Sequence, residues 1–122
     1  MTDSDKKKQI IRLLGSEDDD DPAQRLGRRL SHLSKSMDRS HSFHKEQLVK
    51  WKAGLKNRIA PAYDMPAIVR EIADAPFLDE SEAARCAGNP YHREPLTMRI
   101  GILYDDGDYC EYWVDGRRLE PF

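Results

Sequence analysis

Two different apolar periods occupy the two halves of this chain, and each permits one kind of element. In PAQRLGRRLSHLSKSMD, Leu26, Leu30, Leu33 and Met37 recur at steps of four, three and four. At about 100° per residue these side chains fall within an arc of roughly 60°, one stripe of an α-helix. In LTMRIGILY, Leu96, Met98, Ile100, Ile102 and Tyr104 alternate with Thr97, Arg99, Gly101 and Leu103. A period of two is that of a β-strand with one buried face. A chain carrying both periods in separate blocks is expected to be α+β, with helices first and a small antiparallel sheet last.

The helical block has a clear start. Asp21 suits an N-cap, Pro22 the first helical position, and Gln24 the third position of a capping box. The acids Asp18–Asp21 lie against the positive end of the helix dipole. Residues 1–21 read as a flexible acidic arm, within which Ile10, Ile11, Leu13 and Leu14 could form a helical turn. At DRSHS, residues 38–42, helix propensity falls and Ser42 can cap a second helix. Leu48, Trp51 and Leu55 then form an apolar stripe, with Lys45, Lys52 and Lys56 on a separate narrow face and Pro61 as the stop. Residues 22–60 are thus expected to hold basic amphipathic helices, either a helical hairpin or one long helix. The four-three-four spacing is that of a coiled-coil seam over barely two heptads. Leu26, Leu30, Leu33, Met37, Leu48, Trp51 and Leu55 are the expected dimer or helix-packing residues.

The proline-punctuated middle predicts short helices within 66–88. Pro66 opens one with Ile68, Val69 and Ile72 buried, and Asp79, Glu82 and Gly88 bound another near 80–87. Asn89-Pro90 begins a loop. The C-terminal meander covers 96–120. Its first strand is followed by a turn at Asp105–Asp108 and a strand at Tyr109–Val114. Asp115-Gly116 then reads as a two-residue hairpin into a short third strand from Arg117. Residues 22–122 are taken as a single α+β domain.

Composition enters through what the core can supply. Leu, Ile, Val and Phe together make 24 of 122 residues, about one fifth, which is thin for a packed core. A homodimer would add the missing burial. Charge is near balance overall but segregated: residues 1–22 carry net −3, residues 23–58 net +8, and residues 59–122 net −7. The basic middle therefore points to an electrostatic role, toward an external anion or toward the protein's own acidic parts.

Motifs of known chemistry are not found. His41-x-x-His44 is the one close pair of like ligands, without paired-cysteine spacing or a His-Glu-x-x-His helix. Cys86 and His92 lie six residues apart with nothing in the sequence to orient the histidine. Asp105, Asp106 and Asp108 form a turn without calcium-loop spacing, and no phosphate-cradling glycine loop occurs. No catalytic residue, metal or cofactor is expected. No apolar run approaches the roughly 18 residues that span a membrane. Cys86 and Cys110 could make one bridge, but reduced thiols in a cytoplasmic protein are the expected state.

Two surfaces remain as binding candidates. Arg25, Arg28, Arg29, Lys35 and Arg39 fall within roughly 120° of a helix, away from the leucines. With Lys45, Lys52 and Lys56 they are the expected partner- or phosphate-binding residues. Tyr109, Tyr112 and Trp113 are the aromatic candidates, of which strand alternation exposes either Tyr109 and Trp113 or Tyr112. The resulting expectation is a small non-enzymatic regulator, inhibitor or adaptor that acts sterically on another protein as a homodimer. The alternative is a DNA- or RNA-binding regulator using the basic face 25–39 on phosphates.

Overall fold

The computed structural model describes residues 21–81 and 86–122. Within them lie one α-helix, α1 (Pro22–Asp38), and five strands: β1 (Leu48–Trp51), β2 (Ala67–Phe77), β3 (Leu96–Leu103), β4 (Tyr109–Val114) and β5 (Leu119–Pro121). The strands form one antiparallel sheet in the order β4-β3-β2-β1-β5. The class is α+β, as the two apolar periods require. The chain divides into two compact units, Met1–Lys35 and Ser36–Phe122, and the second holds the whole sheet.

α1 begins where the capping signals place it. The Gln24 N–H donates to Asp21 Oδ1 at 2.7 Å, and the Asp21 N–H reaches Gln24 Oε1 at 3.4 Å. This reciprocal pair satisfies two N–H groups at the helix start. The helix stops at Asp38, which rules out one long helix through residue 60. Its last carbonyls have a cationic partner: Lys52 Nζ donates to the carbonyls of Ser36 and Arg39. A cation there opposes the negative end of the helix dipole.

The sheet unit corrects several expectations. No second helix follows α1 among the described residues, so there is neither a helical hairpin nor a coiled coil within the chain. Leu48, Trp51 and Leu55 are spaced for a helix, yet Leu48–Trp51 is a strand. Val49 and Trp51 point into the core, and Leu48 and Lys50 do not. Two buried β-formers two residues apart outweigh the weak helical spacing, and Gly54 at φ 80° turns the chain before a helical turn could follow. Lys45, Lys52 and Lys56 accordingly do not share a helix face. Pro66 opens no helix either. Ile68, Val69 and Ile72 lie on β2, where Val69 is buried and Ile72 exposed. The helix expected near 80–87 falls largely outside the described residues, as does the acidic arm apart from Asp21.

The third strand exists but pairs elsewhere. The Asp115 side chain accepts the Arg117 N–H at 2.9 Å and caps a 3-10 turn, Gly116–Arg118. That turn carries the chain away from β4, and β5 pairs with β1 through Val49–Pro121, Lys50–Glu120 and Trp51–Leu119. No Asp115-Gly116 hairpin forms. Topology then dictates curvature. β4 and β5 are opposite edges of the sheet, and a flat five-stranded sheet would hold them about 19 Å apart. A 3-10 turn rises only about 2 Å per residue, so the sheet rolls up to bring its edges together. Val114 at one edge and Leu119 at the other are fully buried in the same cluster with Val49, Trp51, Val69, Met98 and Ile100. The core is therefore enclosed by the sheet's own concave face, with Phe43, Ala60, Cys110 and Tyr112 packed at its margin.

Two details shape the outer face. β2 carries irregularities at Arg70 and between Ile72 and Phe77, where Pro76 has no N–H to give the ladder. Gly101 is needed beneath the Tyr109 ring, since a Cβ there would lie 2.3 Å from Tyr109 Oη.

Candidate docking surfaces

α1 is amphipathic and has no buried residue. Leu26 and Leu30 are each 59% exposed, while Leu33 and Met37 are half-buried. Arg25, Arg28, Arg29 and Lys35 are exposed on the helix, and Arg39 just beyond it. The leucine stripe and the basic arc are thus both presented on one element, as the periodicity implies.

The other proposed cations part company. Lys45 is exposed in the turn before β1. Lys56 is half-buried, its ammonium 5.9 Å from the Tyr63 ring centroid. Lys52 is buried against the two carbonyls at the end of α1, and burial, followed by the charge of Arg39, lowers its pKa. Its ammonium serves the fold and does not reach a partner. Of the proposed packing residues, Trp51 and Leu55 are buried in the sheet unit and Leu48 is half exposed. Trp51 Nε1 donates to the Pro61 carbonyl at 2.8 Å, which fixes the loop after β1.

The aromatics divide by strand alternation. Tyr112 faces the core margin, donates to the Ala60 carbonyl, and burial pushes its hydroxyl pKa up. Tyr109 is exposed on the opposite face, and Trp113 is half-buried there, edge-on to Phe77 at 4.9 Å. Around them runs a charge ladder. Arg70 binds Glu46 and Glu111, and Arg99 binds Glu71 and Glu111 at 3.0 and 3.1 Å. The Tyr109 hydroxyl donates to Glu111 at 2.5 Å. That hydroxyl, then the two arginines, holds the Glu111 carboxyl below its usual range, while the bond to Glu111 raises Arg70.

Sequence reasoning missed two features. The first is a buried polar web. Glu94 accepts from Arg58 Nη2 at 2.6 Å, Asn57 Nδ2 at 3.1 Å and the Asp115 N–H at 3.1 Å, with Arg118 Nε 3.6 Å away. The Arg58 guanidinium lies 4.3 Å from the Tyr91 ring centroid and 5.7 Å from that of Tyr112. Cavities of about 520 and 560 Å3 are both lined by this arginine. Both Glu94 oxygens are engaged, so the web acts as a brace. A lone glutamate before a proline carries no signal for such a role.

The second is an apolar groove of about 520 Å3 in the sheet unit, formed by Leu48, Ile59, Met65, Ile68, Leu103 and Tyr109 among others. Ile59 and Leu103 are 92% and 66% exposed. Exposed apolar side chains gathered in one concavity mark an interaction site more than scattered ones do. No protein family, curated protein or solved structure matches the chain. The geometry alone carries the functional reading. Among the described residues no three His, Cys, Asp or Glu side chains gather to hold a metal. His44 Nδ1 is hydrogen-bonded to the Lys45 carbonyl at 3.0 Å. Cys86 is exposed and Cys110 half-buried, and neither is in a disulfide. No helix of the described residues is long and apolar enough to cross a membrane.

Proposed function

We propose that this is a small non-enzymatic binding protein, a regulator, inhibitor or adaptor that acts sterically through protein–protein contacts and works as a homodimer. The observation that carries the reading is α1. Leu26 and Leu30 stand more than half exposed on a helix without one buried residue, although the chain has few large apolar side chains to spare. An exposed apolar stripe at helical spacing is how a helix engages a groove or another helix. The unpaired Cys86 and Cys110 suit a reducing cytoplasm. The test is mass in solution by light scattering. A dimer that becomes a folded monomer in Leu26→Asp/Leu30→Asp supports the reading. A variant of unchanged mass rejects it.

A nucleic-acid reading is favoured by a separate observation: Arg25, Arg28, Arg29, Lys35 and Arg39 are all exposed along α1 and its end. Phosphate contacts of this kind weaken steeply with salt. Titration with mixed-sequence duplex DNA at two salt concentrations tests it. Salt-sensitive binding lost in Arg28→Glu/Arg29→Glu with helicity retained would support it, and no binding at low salt would exclude it.

A further inference from the structure

We propose that the apolar groove of the sheet unit is the seat for α1 of a second copy of the chain. The inference rests on the homodimer reading above and names where the leucine stripe docks.

Three observations converge. The groove floor is apolar, with Leu48, Met65, Ile68 and Leu103 among its lining; Leu48, Met65 and Leu103 are exposed and Ile68 is half-buried. Its one charged lining residue is an acid, Asp105, and Asp64 and Asp108 are the chain neighbours of the lining residues Met65 and Tyr109. The nearby arginines of the sheet, Arg70 and Arg99, are compensated by Glu46, Glu71 and Glu111, so they do not offset that charge. α1 carries the complement: Leu26 and Leu30 on one arc and Arg29 and Lys35 on another, all exposed. The same sense of charge appears along the chain: α1 carries Arg25, Arg28, Arg29 and Lys35 against Asp38 alone, whereas residues 59–122 carry net −7.

The chain is therefore complementary to itself. If α1 of one copy fills the groove of its partner, a two-fold axis makes the partner's α1 fill the first groove. Both grooves are then occupied and the assembly closes at two copies. The doubled contact also matters for size. One helix in one groove is a small interface, and the two-fold axis doubles it. The stripe from Leu26 to Met37 runs about 16 Å along the helix axis at 1.5 Å per residue.

The experiment is a charge exchange followed by light scattering. One variant reverses the helix, Arg29→Glu/Lys35→Glu. The other reverses the groove rim, Asp105→Lys/Asp108→Lys. Each homodimer then sets like charges together and should associate at least about tenfold more weakly than wild type. In a 1:1 mixture the Glu-bearing helix meets the Lys-bearing rim, and the Arg-bearing helix meets the Asp-bearing rim. The expected result is recovery of a dimer of twice the chain mass from two weakened variants. A third variant, Leu103→Asp at an exposed position of the groove, should weaken the wild-type dimer without changing its thermal unfolding at low concentration. A mixture that stays dissociated overturns the proposal. So does a dimer broken by the helix variant but indifferent to both groove variants, which would leave the homodimer reading standing with a helix–helix contact. A monomeric wild type overturns both.

Discussion

Replacing Glu94 by Ala tests what holds the sheet unit together. The Glu94 side chain is 4% exposed and receives hydrogen bonds from Arg58, Asn57 and the Asp115 N–H. Its removal leaves the Arg58 guanidinium, 18% exposed, with the Asn57 and Trp113 carbonyls and the Tyr91 and Tyr112 rings but no carboxylate. The Asp115 N–H loses its acceptor in a residue that is almost wholly buried. Breaking a buried ion pair by deleting one partner costs about 3–5 kcal/mol. An unsatisfied buried N–H accounts for about 1–3 kcal/mol of such a loss. For a unit the size of Ser36–Phe122, 1 kcal/mol moves the melting temperature by about 4–8 °C. The lower bounds together give a fall of about 12 °C, measurable by differential scanning calorimetry. Glu94→Gln should fall between wild type and Ala. Its amide oxygen can still serve Asn57 and Asp115, but its NH2 group faces the Arg58 donor. A double-mutant cycle with Arg58→Met isolates the pair, because the loss to Arg118, 3.6 Å from Glu94, is common to both Glu94→Ala proteins and cancels. A Glu94→Ala protein within about 1 kcal/mol of wild type, well short of the cost of a stranded buried ion, would refute the reasoning and make the web a solvated surface feature.

Other perturbations follow from single contacts. Lys52→Met removes the cation at the end of α1 and leaves the Ser36 and Arg39 carbonyls without it. It should destabilise the sheet unit by about 1–3 kcal/mol in chemical denaturation; an unchanged midpoint would show that water replaces the ammonium without loss. Asp21→Ala deletes the N-cap acceptor of the Gln24 N–H and should cost α1 about 0.5–2 kcal/mol, read as lost helical circular dichroism. Glu111 sets an acid limit. Its carboxyl is held below the ordinary 4.5, so its contribution is present above that pH and is lost as pH falls through the lowered value. Glu111→Gln should flatten the fall in stability below about pH 4.5, and an identical acid profile would remove the ladder from the account.

The helix start, the β3–β4 hairpin and the class were legible because each rests on local rules. A capping box spans four residues, and a two-strand alternation with an Asp-Gly turn is complete within one stretch of chain. What misled was tertiary. LVKW at 48–51 fits a helical stripe in isolation, and only its pairing with both β2 and β5 makes it the strand between them. Asp115-Gly116 looks like a hairpin until Asp115 caps the turn that leads to β1. The polar web joins residues 57, 58, 94, 115 and 118, separations at which no periodicity operates. The groove was hidden for the same reason. Ile59 and Met65 sit in a proline-punctuated loop that reads as punctuation, and they meet Leu48 and Leu103 only because the sheet brings their strands together.

The self-contained core separates stability from binding. All nine residues of the buried cluster come from the five strands, and none from α1. A leucine that stabilised its own fold would be expected to cost about 2–5 kcal/mol when truncated. Leu26 and Leu30, at 59% exposure on a helix with no buried residue, lack the burial for such a cost. Leu26→Asp/Leu30→Asp should therefore leave the unfolding of the sheet unit unchanged when measured at concentrations too low for association. At higher concentration the wild type should gain melting temperature with concentration, and the variant should not, because association stabilises a fold by mass action. A loss of stability in the variant at both concentrations alike would mean that the stripe belongs to the fold of the single chain, and the argument from α1 to a protein partner would fail with it.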